Sequence, residues 1–326
     1  MDNQKDTPPA WCLFQGSCDN SAKVTIPKAP PWRDKSKRIE SYVHLSSKVS
    51  KMVTASLILR RPLLITGSPG IGKSSLAEAI RAELQLGDEV LYWRIGTQSE
   101  FKDGLYSYDA LSRLQDIQSK EPDSDGELIS KKIENYLQLE ALGLAFASKQ
   151  QRVVLIDEID KSPIDLPNNL LHIFEENYFE IPELKRLKKY EFTPNGDKES
   201  FNTISDGMVR CDIENFPLII MTSNGERDFP PAFMRRCLHL EIEKPNATEL
   251  SAIVNRHFKL IDVTLDQERL TKVIESFLKI RDDKDNRSHL STDQLLNALY
   301  LIEQKSIDLD DADSDMLDGI WRNLVG

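Results

Sequence analysis

The stretch GSPGIGKS, which runs from Gly67 to Ser74, constrains the fold of this chain more than any other feature. It matches the pattern G-x-x-x-x-G-K-[ST] and lies between a short apolar run, PLLIT, and a helical run, KSSLAEAIRAELQLG. Glycines in such a loop let backbone N–H groups converge on phosphate oxygens at a helix N-terminus, where anions are already favoured. A chance glycine turn is the alternative, but the strand before it and the helix after it argue against that. The sequence therefore predicts a phosphate-binding loop.

This loop supplies most of the candidate nucleotide-binding residues. Lys73 is expected to reach the β- and γ-phosphates of a bound nucleotide, and Ser74 is expected to hold Mg²⁺. The candidate nucleotide-binding set is Gly67, Ser68, Pro69, Gly70, Ile71, Gly72, Lys73, Ser74, Ser75 and, from a second motif, Asp157.

The second motif is VVLIDEID, an apolar strand that ends in acidic residues. In an open α/β sheet, ligands bind outside the carboxyl ends of the strands. Asp157 is therefore expected to hold Mg²⁺ through water, together with Ser74, and Glu158 is expected to orient or deprotonate an attacking water. A pair of solvated acids that closes a strand is the alternative. Asp160 and Lys161 are expected to be surface residues or helix caps.

Helices and short apolar runs alternate over residues 41–244, including the runs VLYWRIG, RVVLIDE and PLIIMTS. Runs that barely alternate are typical of strands buried on both faces of a parallel sheet, so the succession predicts an α/β layered domain. After HLEIEKP the strands nearly stop, and helical stretches with capping signals predict a small all-helical domain over 245–326. Residues 1–40 are expected to form an arm, with Trp11 and Trp32 as anchors that pack on a domain.

Composition narrows the class of protein. Hydrophobic residues make up 40% of the chain and charged residues 29%, which allows a packed core and argues against wholesale disorder. Because the sequence lacks a run of about 18 apolar residues and a signal-peptide pattern, we expect no membrane span and a cytoplasmic location. The net charge of −11 argues against a nucleic-acid coat, although the basic stretch 185–189 allows a local contact. The aspartate-rich stretch 308–318 is expected to be exposed.

Five motifs, in order, make residues 40–300 resemble the AAA+ ATPases, and most of all their MoxR-like branch. GSPGIGKS resembles the Walker A motif, VVLIDEID the Walker B motif, and DLPNNLLHIFEENYFEIPE the helix and hairpin strand that follow Walker B in that branch. IIMTSN resembles the sensor 1 strand, and FPPAFMRRC resembles the segment that carries the arginine finger. The resemblance implies an α/β P-loop NTPase fold, a three-layer sandwich with a parallel sheet, followed by a helical lid domain. It also implies ATP and Mg²⁺ as cofactors.

The resemblance implies further site residues. Asn224 is expected to be the sensor 1 residue, which contacts the γ-phosphate and the attacking water. A turn formed by SNG is the alternative, and the two roles are compatible. Arg236 is expected to be the arginine finger, which points into the nucleotide site of a neighbouring subunit, and Arg235 is expected to hold the interface or to replace Arg236. An exposed pair at a helix end is the alternative for both arginines.

Two segments depart from a minimal core of this family. Residues 100–148 are assigned to an insert in the helix-2 region, which is known in the MoxR-like branch, and residues 178–215 to the hairpin before sensor 1. In the lid, the family often has an arginine after Ser-Pro at the sensor 2 position, whereas this chain has Thr292 and Asp293 there, and Arg287 lies off the motif. Coupling of the lid to the γ-phosphate is therefore not expected.

Three functions follow as hypotheses. The resemblance implies an ATP-hydrolysing homo-oligomer, in the form of a hexameric ring, that remodels or activates a protein partner. Relatives in this branch often work with von Willebrand A-type proteins, and some belong to bacterial conflict systems. A nucleic-acid motor or loader is the second hypothesis, because the stretch 185–189 falls where AAA+ hairpins point into the pore of the ring. A weakly hydrolysing nucleotide switch is the third, and Glu158 and Asn224 argue against it. The choice of ATP over GTP rests on the resemblance alone.

Overall fold

The computed structural model describes residues 28–33, 46–119, 133–186, 191–282 and 290–303. These residues divide into two compact units. The larger unit comprises Ser46–Ser68 and Gly72–Glu243. The smaller unit comprises the loop segment Pro69–Ile71, residues 28–33 and the described residues from Lys244 onward.

Strands and helices alternate along the larger unit, and the described residues after β11 form helices. Within the described residues the strands are β1 (Leu63–Thr66), β2 (Leu91–Arg94), β3 (Tyr106–Tyr108), β4 (Leu137–Leu139), β5 (Val153–Asp157), β6 (Tyr178–Glu180), β7 (Glu191–Phe192), β8 (Ile204–Ser205), β9 (Met208–Arg210), β10 (Leu218–Ser223) and β11 (Leu238–Glu241). The α-helices there are α1 (Ser47–Leu59), α2 (Lys73–Leu84), α3 (Ala110–Ser119), α4 (Ala141–Ala147), α5 (Leu166–Glu176), α6 (Pro182–Lys185), α7 (Pro231–Arg236), α8 (Ala247–Lys259), α9 (Gln267–Arg281) and α10 (Thr292–Glu303).

A parallel sheet of five strands, in the order β11-β1-β10-β5-β2, forms the centre of the larger unit. The side chains of β5 up to its last residue and of β10 are all buried, which matches the apolar sequence of residues 153–156 and 218–221. Strand β10 ends in two buried polar residues, Thr222 and Ser223. Strand β2 lies at the edge and alternates, so that Trp93 is buried and Tyr92 is 39% exposed. Helices flank the sheet and a helical region follows it. This confirms the predicted α/β P-loop fold with its parallel sheet and C-terminal helices.

Two antiparallel sheets, both built from very short strands, extend the larger unit. Strands β3 and β4 pair with Tyr106 opposite Leu139, within residues 100–148, which the sequence analysis assigns to an insert. In the segment predicted as a hairpin, β6 to β9 form a four-stranded sheet in the order β6-β9-β8-β7. The polar loop EPDSDGE, at residues 121–127, lies outside the described residues.

The smaller unit packs α8, α9 and α10 around a separate apolar core. Helix α8 begins with a capping box, in which Asn246 and Glu249 each bind the other's backbone N–H group, as predicted. Trp32 donates from Nε1 to Asn297 Oδ1 at 2.9 Å and meets the ring of Tyr300 edge-on at 5.5 Å between centroids. Trp32 is thus an anchor on these helices. Trp11 and the stretch 308–318 lie outside the described residues, as does the rest of the predicted helical domain after residue 303.

Candidate functional site

The phosphate loop joins the end of β1 to the start of α2. Gly72 stands immediately before α2 with φ of 88°, in the left-handed region that favours glycine. A Cβ atom at this position would meet no atom within 4 Å, so the backbone conformation, and not lack of space, requires glycine. The loop thus directs the first turn of a twelve-residue helix, with its free N–H groups, toward the carboxyl edge of the sheet.

Lys73, the first residue of α2, is only 8% exposed. Its ammonium group donates to Gly67 O at 2.6 Å, to Ser68 O at 3.0 Å and to Asn224 Oδ1 at 2.6 Å. Burial lowers the pKa of Lys73, and the nearby carboxylates of Asp160, Asp157 and Glu158 oppose that shift. A buried cation therefore lies at the mouth of the loop, surrounded by oxygen acceptors and acids.

Asp157, the last residue of β5, accepts two hydroxyl hydrogen bonds on one oxygen. Ser74 Oγ donates to Asp157 Oδ1 at 2.9 Å, and Thr222 Oγ1 donates to the same oxygen at 2.5 Å. A carboxylate beside a serine hydroxyl is the hard-oxygen donor set that Mg²⁺ prefers, so these residues fit the predicted metal. Thr222 was not predicted. Its hydroxyl also accepts the backbone N–H of Glu158 at 3.0 Å, which connects the ends of β5 and β10.

Glu158 and Asp160 face in different directions. The Glu158 side chain is 43% exposed and forms a hydrogen-bonded ion pair with Lys161 at 3.0 Å. The hydrogen bond to Glu158 raises the pKa of Lys161. Asp160 is only 4% exposed, so the expectation that it lies at the surface is wrong. Its Oδ2 accepts the backbone N–H groups of Asn224 at 2.8 Å and Glu226 at 3.2 Å. Asp160 therefore caps backbone N–H groups, but these belong to the loop after β10 and not to a helix.

Asn224 follows the end of β10, and its side-chain oxygen is the acceptor already described for Lys73. The next residue, Gly225, has φ of 78° and donates its N–H to Ser223 Oγ at 3.0 Å, so the SNG turn also forms. Arg227, which was not predicted, holds the same loop against the segment after β5. Its guanidinium donates to Ser162 O at 2.6 Å and to Ser162 Oγ at 2.8 Å.

The arginine pair closes α7, which begins with Pro231 at its first position. Arg235 is exposed. The guanidinium of Arg236 contacts Glu175 on α5 and donates to Ala232 O at 3.2 Å. Neither guanidinium takes part in the hydrogen bonds that join Lys73, Ser74, Asp157 and Asn224. The structure thus brings four predicted residues together and places the two arginines elsewhere on the larger unit.

The remaining predicted positions are as follows. Pro69, Gly70, Ile71 and Ser75 continue the loop and the first turn of α2. Thr292 and Asp293 open α10, where Asp293 accepts a hydrogen bond from Ser291 Oγ. Arg287 lies outside the described residues, as do residues 187–189 of the basic stretch.

A groove of about 990 Å³ lies between the β3–β4 pair and the segment after β7. Tyr108, Tyr136 and Phe192 give it aromatic walls, and Asp109 and Glu134 give it acidic groups. Its lining includes no residue of the phosphate loop or of the acidic strand end. The groove is therefore separate from the cluster formed by Lys73, Ser74, Asp157 and Asn224.

The fold and this cluster define a class. A phosphate loop, an acid at the end of β5 and a polar residue after β10, on one edge of a parallel sheet, are the parts of a P-loop nucleotide-binding domain. Residues 62–237 match the family described as AAA domain (dynein-related subfamily), and the chain belongs to that family. An AAA domain implies nucleotide binding and, in general, nucleotide hydrolysis, and AAA+ proteins typically assemble as rings.

Two solved structures are similar to this chain. Domain III of the replication initiation protein DnaA from Thermotoga maritima has 16% sequence identity and a TM-score of 0.43, over 90% of this chain and 98% of that one. A single-substitution variant of RuvB from Thermotoga maritima has 14% identity and a TM-score of 0.43, over 85% of this chain and 67% of that one. Among proteins with curated descriptions, none matches the chain. In the described part of the chain, every helix is too short or too polar to cross a membrane.

Proposed function

We propose that this protein is a Mg²⁺-dependent ATPase of the MoxR-like kind, which assembles as a ring and uses ATP hydrolysis to remodel or activate a protein partner. The observation that carries the proposal is the direct hydrogen bonding of Lys73 to Asn224 and of Ser74 to Asp157. These bonds bring together residues that follow or end three neighbouring strands, β1, β10 and β5.

ATP would supply the γ-phosphoryl group for transfer to water, and Mg²⁺ would neutralise charge on the β- and γ-phosphates. Lys73 and the loop N–H groups would bind the phosphates, while Ser74 and Asp157 would hold the metal. Thr222 positions the Asp157 carboxylate through its 2.5 Å hydrogen bond. Asn224, already within hydrogen-bond distance of Lys73, would orient the attacking water or the γ-phosphate.

Glu158 would act as the general base for that water. Its carboxylate is half-exposed, and its partner Lys161 is half-exposed as well. Ion pairs at such positions contribute about 0–1 kcal/mol, so the pair with Lys161 does not prevent Glu158 from binding a water molecule.

Arg236 would act on the nucleotide of the neighbouring subunit in a ring. Three features support this role: the family of the chain, the position of Arg236 at the end of a short helix, and the absence of its guanidinium from the chain's own Lys73–Asn224 cluster. Arg235, the more exposed of the two, would hold the interface. A hexamer, a von Willebrand A-type partner, a place in a bacterial conflict system and the cytoplasmic location remain predictions from resemblance and composition.

A nucleic-acid motor is the second candidate, and the described residues of the basic stretch do not distinguish it from the first. Lys185 forms an ion pair with Glu180 at 2.8 Å, but both side chains are exposed, and such a pair contributes about 0–1 kcal/mol. Arg186 is exposed as well, so both cations are accessible to a phosphate backbone. A weakly hydrolysing nucleotide switch is the third candidate, and repeated rapid turnover by the assembled protein would exclude it.

The direct test is ATP turnover by the purified protein with Mg²⁺ and with a chelator. We predict that Lys73→Ala abolishes turnover and weakens ATP binding at least about 100-fold, because the phosphates lose their buried cation. Calorimetry with ATP measures the binding. Lys149→Ala is the matched control, since the ammonium group of Lys149 donates to a carbonyl outside the cluster, Lys198 O.

Tight binding that survives Lys73→Ala would show that the phosphate loop is wrongly assigned. Addition of single- or double-stranded DNA over a salt series tests the second candidate. A stimulation that falls steeply with salt would support the motor, and an unchanged rate is expected for a protein remodeller.

A further inference from the structure

Asp160 is a buried carboxylate to which the mechanism above assigns no role. It lies in a short 3₁₀ turn, Ile159–Lys161, just after β5, and it is 4% exposed. Burial of a carboxylate is costly unless hydrogen bonds or an opposite charge compensate it. Its interactions therefore indicate what it does.

One oxygen of Asp160 holds the loop that follows β10. Oδ2 accepts the backbone N–H groups of Asn224 and Glu226, 64 and 66 residues further along the chain. Hydrogen bonds to an ionised acceptor are roughly twice as strong as neutral ones. A single carboxylate thus fixes the backbone on both sides of Gly225, at the position from which the Asn224 side chain projects.

The other contacts of Asn224 extend this connection to the phosphate loop. The backbone N–H of Asn224 donates to Asp160, and the side-chain oxygen of Asn224 accepts a hydrogen bond from Lys73 Nζ at 2.6 Å. Asp160 is also the carboxylate that most favours the charged form of Lys73. Its second oxygen, Oδ1, is buried and has no hydrogen-bond partner among the described residues.

We propose that Asp160 is a positioning residue for ATP hydrolysis, which acts by holding the Asn224 loop so that the Asn224 amide stays beside Lys73 and the γ-phosphate. This inference rests on the proposed function. It makes the third acid of the sequence DEID part of the hydrolytic machinery, in addition to the first two. A purely structural role, in which Asp160 only ties β5 to β10, is the competing explanation.

A double-mutant cycle between Asp160 and Asn224 distinguishes the two explanations. We expect Asn224→Ala to lower kcat about 100-fold, as loss of one oriented polar group in a phosphoryl-transfer site does. Asp160→Ala should lower kcat about 10- to 100-fold in the wild-type background, because a displaced loop misplaces the amide. In the Asn224→Ala background, Asp160→Ala should have almost no further effect, and ATP affinity should change by less than about threefold throughout.

The conservative variant Asp160→Asn retains a side-chain oxygen that can accept both N–H groups, but it lacks the charge. We expect its kcat to lie between those of the wild type and Asp160→Ala, with an unchanged thermal midpoint. If Asp160→Ala does not fold, the same cycle is run with Asp160→Asn. Asp165→Asn, at an exposed acid of the following segment, is the control and should match the wild type.

Equal losses from the Asp160 variant in both backgrounds would overturn this inference and leave the proposed ATPase standing. An unchanged kcat in Asn224→Ala would overturn the sensor assignment and this inference together. If the wild-type protein hydrolyses ATP and Lys73→Ala abolishes this turnover while Asn224→Ala does not, the sensor assignment fails and the ATPase assignment stands.

Discussion

At the scale of single residues, the backbone at Glu158 decides which acids enter the site. Its φ of 60° and ψ of 48° lie in the left-handed region, which residues other than glycine rarely occupy. This turn interrupts the extended chain directly after Asp157. As a result, Asp157 and Asp160 lie inward, while the Glu158 carboxylate reaches solvent. Unusual backbone conformations of this kind are concentrated at functional sites.

We predict that Glu158→Gln keeps ATP binding and lowers turnover at least about 100-fold, since it removes a general base and leaves the metal-binding oxygens in place. Calorimetry with ATP and a phosphate-release assay measure the two effects. Glu176→Gln, at an exposed glutamate on α5, is the control. Near-normal turnover of the Glu158 variant would mean that another group accepts the proton.

The sequence predicts those residues of the cluster that belong to motifs of consecutive residues. Lys73, Ser74 and Asp157 each follow from a strand and the residues next to it. Thr222 and Arg227 contribute through partners about 65 residues away in the chain, and no local pattern marks such partners. The burial of Asp160 depends on the left-handed residue before its turn, and a glutamate at that position does not predict such a conformation.

At the scale of secondary-structure elements, the sequence predicts strands of the central sheet but not the β3–β4 pair. Strands β1, β5 and β10 coincide with apolar runs, because a strand buried on both faces has no polar positions to interrupt it. Strands β3 and β4 have three residues each and pair across 33 positions of sequence, from Tyr106 to Leu139. Three residues are too few for a periodic pattern, so the sequence does not predict this pair.

Helix α4 packs against the chain beside β3 through a glycine. A Cβ atom at Gly143 would lie 1.9 Å from the backbone oxygen of Leu105. That oxygen also accepts the N–H of Glu140, so it cannot move without loss of a hydrogen bond. The close approach of α4 to this segment therefore depends on the missing side chain.

We predict that Gly143→Ala lowers the free energy of unfolding by about 2 kcal/mol or more, because the clash involves backbone on both sides. Urea denaturation followed by circular dichroism measures the change. Gly96→Ala is the matched control, since the nearest atom to a Cβ there is Ser99 Oγ at 4.0 Å, an ordinary contact. Equal stability of the two variants would show that α4 can shift at little cost.

At the scale of the whole molecule, the sequence predicts that one subunit lacks an arginine for the γ-phosphate and that a second subunit supplies it. Thr292 and Asp293 occupy the sensor 2 position, where no arginine matches the family pattern, so the sequence predicts Lys73 and a metal ion as the cations beside the γ-phosphate within one subunit. An arginine from outside can be worth about 10³–10⁵ in rate. The two arginines at the end of α7 are the residues of this chain that resemble such a group.

The contact of Arg236 with Glu175 does not prevent this role. Both side chains are more than a third exposed, and an ion pair of that kind contributes about 0–1 kcal/mol. A triphosphate carries more charge than a carboxylate and offers bidentate partners to a guanidinium. Glu175 would therefore orient the Arg236 side chain before assembly and release it to the phosphate in the ring.

We predict that Arg236→Ala binds ATP as the wild type does and loses at least about 10³-fold in turnover, at protein concentrations where the oligomer forms. Mixing it with Glu158→Gln subunits should restore part of the activity. The Glu158→Gln subunit supplies an intact arginine to the intact site of the Arg236→Ala subunit, at about one interface in four for random equal mixing.

Arg235→Ala is the matched control, and we expect it to weaken assembly more than turnover per assembled site. Wild-type turnover in assembled Arg236→Ala would exclude Arg236 as the finger, and absence of rescue from two inactive variants that still co-assemble would exclude its action across the interface.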